Sequence, residues 1–395
     1  MLNRRALFGS SALATLAGWL TPGQRVAAKP SRSGDLEPRG SVGRLERLPS
    51  LNLESREDFL TGFRIWVHKQ VRPAAATRAN AIMRKNGLDP RADIPFEQLH
   101  ELIGGDHKVA LSAHLWLNGQ MLMWKQLQNE FHGDADAYLA EMEATDNAGP
   151  GTLELNPDLQ LPKYTTHEIH MQPGGYVGDP FAGHMYHYGT NNFWLGKNYQ
   201  DEMHGQLADA VPTPPADGRV RRILDLGCSV GQMSIALKER YPDAEVWGID
   251  AGGPMVRYAH MRAVDLDVDV NFAQRLAEDT KFPDNHFDIV TSFLLFHEVT
   301  SEAAMQIIKE AHRITRPGGV FFARDPRAWD RLPASTGFQK WQRWWIWRWN
   351  HEVWAMDHQS NDYLTAFAEA GFDVEIIGKE RSPSFNANLL GVKPG

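Results

Sequence analysis

The sequence contains a single cysteine, carries no excess of positive charge and, beyond its N-terminus, has no long apolar run. With Cys228 alone among 395 residues, an intramolecular disulfide cannot form and a cysteine-rich zinc site is excluded. The formal net charge of −8 argues against a general nucleic-acid surface, although it leaves a local basic patch open. No stretch after the N-terminal segment approaches the ~20 apolar residues that cross a bilayer, so no stable membrane span is predicted. The remaining composition, 42% hydrophobic and 23% charged, is that of an ordinary soluble globular protein.

Residues 1–28 have the layout of a secretory signal. Arg4 and Arg5 precede an apolar stretch of small residues, a Thr-Pro-Gly sequence then stops any helix, and a Val-Ala-Ala sequence offers a cleavage site. The paired arginines resemble a twin-arginine export signal, which predicts a periplasmic or exported protein. The alternative is a cytoplasmic protein with a disordered leader or a misassigned start codon. Residues 29–50, rich in Pro, Gly, Ser and charge, are predicted to be a linker.

Two regions follow the linker. Residues 51–150 show helical periodicity and predict a small helical domain, with most of its Trp and Met side chains in the core. The apolar residues that recur at helical spacing near its start are Phe59, Phe63, Trp66 and Val67. Residues 151–215 are interrupted by Pro and Gly and are dense in His and Tyr, which predicts an irregular lid or connector.

Residues 216–395 change to alternating strands and helices. Strands are predicted at 221–226, 245–250, 270–274, 287–295, 319–324, 374–380 and 385–393. This alternation predicts an α/β fold: a Rossmann-like, seven-stranded, mainly parallel sheet with helices on both faces. Only a short turn joins the last two strands, so they are predicted to be antiparallel. A Trp-rich insertion at 326–361 follows the fifth strand.

The turn after the first of these strands carries the strongest functional signal. The strand ends in Asp225, and Gly227 and Gly231 follow before a helix, with Cys228 between them. Ligands of open α/β sheets bind at the carboxyl ends of strands, near a helix N-terminus. Gly227 lets the backbone turn and approach a ligand, and Gly231 is predicted to leave room for that ligand at the helix start.

An acidic residue, Asp250, ends the next strand. A carboxylate in this position can accept hydrogen bonds from both hydroxyls of a ribose. A nicotinamide dehydrogenase would offer the same acid, but its G-x-G-x-x-G pattern is missing here because position 229 is Ser.

Two further segments complete the pattern: Gln274–Phe282, and Arg316-Pro317-Gly318-Gly319 before an apolar strand. Together the four segments cover about 110 residues in the order typical of the family. The chain resembles the class I S-adenosylmethionine-dependent methyltransferases, and among them the methyltransferase type 11 group, which includes quinone-biosynthesis enzymes. This resemblance implies S-adenosylmethionine as the cofactor. The implied cofactor-binding residues are Asp225, Gly227, Cys228, Gly231, Asp250, Ala277, Glu278 and Phe293.

One position departs from the family pattern. Where the family has an acid that binds the adenine amino group, this chain has Leu276. The side chain of leucine cannot accept a hydrogen bond, so the alternatives for this contact are Glu278, Asp279 and the backbone of Ala277.

His297 and Glu298 are the predicted catalytic residues. They follow the strand whose carboxyl end faces the methyl group, and a similar His-Glu pair stands here in many relatives. A phenol, enol or acidic carbon must lose a proton as it is methylated, and His297 is placed as a general base should be. The alternative is a pair that only packs or caps a helix.

Four aromatic residues are predicted to contact the acceptor: Tyr186, Tyr188, Tyr199 and Trp344. The tyrosines belong to the lid, and Trp344 belongs to the insertion. The insertion could instead pack against the N-terminal helices, contact another subunit or touch a membrane face. The pairs His167/His170 and His184/His187 have spacings that metal ligands also show, but with no flanking cysteine we predict no metal site.

The sequence therefore predicts an enzyme that moves a methyl group from S-adenosylmethionine to a small, apolar or aromatic molecule by in-line displacement. The alternative is a noncatalytic exported protein that uses the same fold as a binding module. A nucleic-acid methyltransferase is disfavoured because no Asn-Pro-Pro-Tyr type of motif follows the fourth strand. A homo-oligomer is left open.

Overall fold

The computed structural model describes residues 41–42, 45–46, 51–325, 336–377 and 387–395. The predicted signal segment, most of the linker and the first ten residues of the insertion lie outside these ranges. Within them, Ser41–Val42 (β1) pairs antiparallel with Leu45–Glu46 (β2). None of the described helices combines the length and the apolar character needed to cross a membrane.

The N-terminal region is helical, as predicted. Its α-helices are Leu51–Trp66 (α1), Arg72–Lys85 (α2), Phe96–Leu99 (α3), His107–Gly133 (α4) and Ala135–Thr145 (α5), with π-helical turns at Val67–Val71 and His100–Gly104. Asp106 starts the longest helix by accepting hydrogen bonds from the backbone N–H groups of Lys108 and Val109. The apolar stripe predicted near the start of this region is only partly covered: Val67, at the start of the first π-helical turn, is fully buried, whereas Phe59 of α1 is 69% exposed.

Residues 151–215 contain more regular structure than the sequence predicted. They form a short strand, Leu153–Glu154 (β3), two 3₁₀ turns at Lys163–Thr165 and Ile169–Met171, and the helices Ala182–Phe193 (α6) and Glu202–Ala210 (α7). Helix α6 was missed because its face is built from Gly, His, Tyr and Asn, which have weak helix propensity in isolation. Packing stabilises it, since Met185 and its neighbours are buried.

The central sheet follows the predicted class and has one strand more than expected. Its remaining strands are Arg222–Leu226 (β4), Glu245–Asp250 (β5), Asn271–Gln274 (β6), Phe287–Phe293 (β7), Thr315–Asp325 (β8), Asp373–Ile377 (β9) and Ala387–Val392 (β10). The order is β3-β6-β5-β4-β7-β8-β10-β9, so the described sheet has eight strands rather than seven. The extra edge strand is β3, which pairs parallel with β6. Strand β10 is antiparallel to both neighbours, which confirms the predicted antiparallel end.

Helices cover both faces of this sheet. They are Gln232–Arg240 (α8), Gly253–Leu266 (α9), Ser301–Ile314 (α10) and Tyr363–Ala370 (α13, after α11 and α12 described below). Helices α10 and α13 pack on one face through Ile307, Ile308 and Phe367. Helices α7, α8 and α9 pack on the other. The first turn of α10 is capped by Thr300, whose side chain accepts a hydrogen bond from the backbone of Ala303.

The N-terminal helices share their core with the C-terminal domain. Phe131 of α4 packs in one cluster with Phe181, Met185 and Tyr258, which belong to the lid segment and to α9. The lid is therefore held between the two regions, and it crosses the carboxyl ends of the strands.

The described part of the Trp-rich insertion forms Gly337–Trp349 (α11) and Ala355–Ser360 (α12). Trp341 and Trp345 are buried together with Met83 and Leu99 of the N-terminal helices. The insertion therefore packs against the N-terminal region, one of the alternatives drawn from the sequence, and Arg343 and Ile346 of α11 also line the cavity described below. Trp329 lies outside the described residues.

Candidate active site

A cavity of about 410 Å³ lies at the carboxyl ends of β4, β5 and β7. This volume is within the range of small-molecule sites. On the sheet side its wall includes Gly227, Asp250 and Phe293. On the other side it is closed by the lid and by the N-terminal helices, through residues such as Tyr186 and Trp124.

Gly227 shapes the first wall of the cavity. The backbone adopts φ +68° there, a conformation that L side chains rarely take. A Cβ at this position would lie 2.9 Å from Cδ1 of Leu295, another residue of the wall. The predicted role of Gly227, a close approach of the backbone to the ligand, fits this placement.

Three other residues of the same turn lie behind the cavity wall. A Cβ at Gly231 would lie 2.7 Å from Cζ of Phe272, so its missing side chain makes room for the core and not for a donor. Cys228 is buried in the core beneath α8. Asp225 is 1% exposed and accepts a hydrogen bond from Oγ of Ser234 at 2.7 Å. None of these three residues, each predicted to bind the donor, lines the cavity.

Asp250 is held in one orientation at the end of β5. Its Oδ2 accepts a hydrogen bond from the backbone N–H of Ser229 at 3.0 Å, and its Oδ1 accepts one from Gly252 at 2.9 Å. Burial raises the pKa of Asp250, and these two donors oppose that rise. A carboxylate has about four acceptor sites, so each oxygen keeps a lone pair for a ligand hydroxyl.

The segment with the unusual Leu276 contributes Ala277 and Glu278 to the wall. The hydroxyl of Tyr164 donates a hydrogen bond to Oε1 of Glu278 at 2.7 Å. Asp279 instead pairs with Lys281 at the surface. Of the two acids considered from the sequence, Glu278 is therefore the one beside the cavity.

His297 and Glu298 meet two partners that the sequence did not identify. Nδ1 of His297 lies 2.7 Å from Oδ1 of Asp325, the last residue of β8. Oε1 of Glu298 lies 3.3 Å from Nε2 of His297 and 3.1 Å from Nε2 of His170 in the lid. On the far side of His170, Nδ1 lies 3.3 Å from Oε1 of Glu352.

These carboxylates control the charge of His297. Burial by itself lowers the pKa of this imidazole, but the charges of Glu298 and Asp325 outweigh burial and hold the pKa well above its usual value. In the arrangement described, the two carboxylates therefore favour the protonated form of His297. A protonated imidazole donates a hydrogen bond but cannot take a proton, so the predicted base role requires that the ring first lose its own.

The two histidine pairs whose spacing resembles that of metal ligands, His167/His170 and His184/His187, have separate partners in the structure. Nδ1 of His167 lies 2.9 Å from the carbonyl oxygen of Tyr164. The ring of His184 packs on Tyr258 at 4.5 Å, and Nδ1 of His187 lies 2.8 Å from the hydroxyl of the same tyrosine. His170 alone reaches the predicted catalytic pair, from 127 residues away along the chain. No local spacing in the sequence could signal that meeting.

Of the four predicted acceptor contacts, Tyr186 lines the cavity. Tyr188 of α6 packs against Phe131, Tyr199 lies beside Gly196, and the ring of Trp344 of α11 lies 4.5 Å from that of His100. These three side chains lie outside the cavity wall.

The sequence also missed a buried guanidinium at the helical end of the cavity. Arg64 is 5% exposed and lies 3.7 Å above the ring of Trp116 and 4.1 Å from that of Phe193. Its Nη1 donates a 3.4 Å hydrogen bond to Oε1 of Gln120, while Nε and Nη2 have no partner among the described residues. Burial lowers the pKa of Arg64 to about 9, which leaves it charged at neutral pH.

Comparison with known proteins agrees with this geometry. Residues 223–319 match the family model described as a methyltransferase domain. Curated relatives include a demethylmenaquinone methyltransferase of Thermus thermophilus, 36% identical over 99 residues, which are 25% of this chain and 44% of the relative. Another is the ubiquinone/menaquinone biosynthesis C-methyltransferase UbiE of Burkholderia orbicola, 29% identical over 145 residues, which are 36% of this chain and 58% of the relative.

The chain spans about half the length of the curated relatives it matches. Among solved structures, it is similar to phosphoethanolamine N-methyltransferase 2 of Haemonchus contortus in complex with S-adenosyl-L-methionine. The identity is 14% and the TM-score 0.38, over 55% of this chain and 58% of that one.

Proposed function

We propose that this protein binds S-adenosylmethionine and transfers its methyl group to a small acceptor. The observation that carries this proposal is the fixed carboxylate of Asp250, which faces the same cavity as the left-handed turn at Gly227. The methyltransferase domain of residues 223–319 supports the same proposal.

The residues that line the cavity define the orientation of the bound S-adenosylmethionine. The ribose hydroxyls bind the two oxygens of Asp250, and the adenine lies against Ala277 and Glu278. The methionine portion lies over Gly227. This arrangement directs the methyl group toward Phe293 and the His297–Glu298 pair at the end of β7.

The acceptor binds on the opposite side of the cavity, between the lid and the N-terminal helices. Aromatic side chains dominate this part of the wall: Trp124, Tyr176, Tyr186, Phe193 and Trp194. Such a surface suits a planar or apolar acceptor. The names of the relatives agree, because several act in quinone biosynthesis.

Transfer of a methyl group from a sulfonium is an in-line displacement, and the protein contributes mainly position and exclusion of water. In this structure the lid supplies the exclusion, since its helix α6 packs between the sheet domain and α4. His297 and Glu298 hold the acceptor oxygen at the methyl group.

Two titrations and one assay test the proposal. Isothermal titration with S-adenosylmethionine and with S-adenosylhomocysteine is expected to give saturable binding with one site per chain. A panel of hydroquinones and phenols is then screened for release of S-adenosylhomocysteine. Binding of neither nucleoside at millimolar concentration would remove the proposal. Binding without turnover of any acceptor would favour the noncatalytic binding module.

A further inference from the structure

We propose that His170, His297 and Glu298 bind a divalent transition-metal ion, which holds the oxygen of the acceptor. These three residues offer one ligand atom each, and the three atoms lie within 4.8 Å of one another. All three residues also line the cavity proposed for methyl transfer. The set, two imidazoles and one carboxylate, is a ligand set that suits iron(II) or zinc(II) and leaves coordination positions open.

The distances fit a shared metal. Oε1 of Glu298 lies 3.1 Å from Nε2 of His170 and 3.3 Å from Nε2 of His297. Two ligand atoms, each about 2.1 Å from one ion, lie about 3.0–3.4 Å apart at octahedral or tetrahedral angles. The second carboxylate oxygen of Glu298, Oε2, is buried without a hydrogen-bond partner among the described residues.

Both histidines are oriented from behind by carboxylates. Nδ1 of His297 lies 2.7 Å from Asp325, and Nδ1 of His170 lies 3.3 Å from Glu352. Metal-binding histidines almost always have their other ring nitrogen held in this way, because the contact fixes the ring and raises its basicity. The structure shows this outer arrangement for both rings, which leaves each Nε2 facing Glu298.

The backbone of His170 is held in an uncommon conformation. Its φ of 53° and ψ of 23° are left-handed, an uncommon conformation for a residue other than glycine. Two buried side chains hold it there: Nε2 of Gln120 and Nε1 of Trp124 both donate hydrogen bonds to the carbonyl oxygen of His170. Such strain persists only where the surroundings impose it, and it concentrates at functional sites.

A metal ion at this site would favour an acceptor that has an ionisable oxygen. An enol or phenol bound to the ion loses its hydroxyl proton to solvent, and the oxygen–hydrogen bond is replaced by an oxygen–metal bond. The electron-rich acceptor then takes the methyl group as the carbon–sulfur bond of the donor breaks. This catalytic role rests on the proposed function, whereas binding of the metal itself does not.

The experiment measures metal binding directly. The purified full-length protein is stripped with a chelator and titrated with Co²⁺ and Zn²⁺, with the visible absorption of Co²⁺ and the metal content as readouts. We expect one equivalent to bind and the thermal midpoint to rise. His170→Gln and Glu298→Gln are each expected to weaken binding at least about tenfold, since even changes to outer contacts cost 10–100-fold.

His132→Gln is the matched control. It removes another pair of a histidine and a carboxylate, formed by His132 of α4 and Asp179. It is expected to bind metal as the wild type does. Wild-type protein that binds no more metal than the Glu298→Gln variant would overturn the proposal and leave a metal-free ion-pair cluster. Affinity for S-adenosylhomocysteine, measured on the same samples, separates this outcome from failure of the methyl-donor site.

Discussion

Replacing Asp250 with Asn tests the donor site with little change in shape. The carboxylate is expected to accept hydrogen bonds from both ribose hydroxyls while it accepts two from the backbone. A hydrogen bond to a charged group contributes about 1.5–3 kcal/mol. The amide keeps one acceptor oxygen, so we expect a loss of about 3 kcal/mol in donor binding. That loss is a weakening of about 100-fold.

The assay is isothermal titration with S-adenosylhomocysteine at pH 7.5. Stability is expected to change little, since Asn removes a buried charge and loses one backbone contact. Asp269→Asn serves as the control: this acid lies before β6, is 55% exposed and pairs with Lys238, so the affinity of this variant for S-adenosylhomocysteine should equal that of the wild type. A folded Asp250→Asn variant that binds within threefold of the wild type would refute the assignment.

Three further predictions concern the fold around the site. Gly227→Ala forces a Cβ into a left-handed backbone and against Leu295. We therefore expect a loss of about 1–2 kcal/mol in unfolding free energy and weaker binding of S-adenosylhomocysteine. A variant with the unfolding free energy and the affinity of the wild type would contradict this. Burial raises the pKa of Asp225 to about 7 in the folded state, so the folded protein holds the extra proton and stability falls as pH rises from about 4 to 7. Urea unfolding at pH 5 and pH 8 gives the change in unfolding free energy with pH, and this change should be smaller in Asp225→Asn than in the wild type. An equal change in both proteins would count against the burial of this charge. Trp341→Ala removes a fully buried ring and should cost about 3–5 kcal/mol in urea unfolding, where a loss below about 1 kcal/mol would contradict the packing of α11 on the N-terminal helices.

The sheet and the turn at Gly227 could be predicted because local signals define them. Strand β5 was predicted with the bounds it has, Glu245–Asp250, since a short apolar run marks it in the sequence. Asp250 and Gly227 were found for a similar reason: both follow directly from a strand end and a glycine turn.

Side-chain direction within the turn could not be read from spacing. Gly231 and Cys228 stand in the same motif as Gly227, but the backbone points them at Phe272 and the core. The motif identified the turn that borders the cavity but not which of its residues reach it.

The other misses depend on contacts between distant parts of the chain. His170 reaches Glu298, and Arg64 lies at the same cavity only because α1 packs across the lid. Strand β3 is two residues long, and it forms because the edge of β6 is available. Such elements have no periodic pattern, so tertiary pairing alone creates them.

The most direct measurement is a crystal structure of the protein soaked or grown with S-adenosylhomocysteine. The proposed function predicts adenosine in the cavity, with both ribose hydroxyls within hydrogen-bond distance of Asp250 and the sulfur atom directed toward His297. The proposed function would be contradicted by a crystal that shows no nucleoside at a saturating concentration of S-adenosylhomocysteine. It would also be contradicted by a nucleoside that binds away from Asp250 and the turn at Gly227.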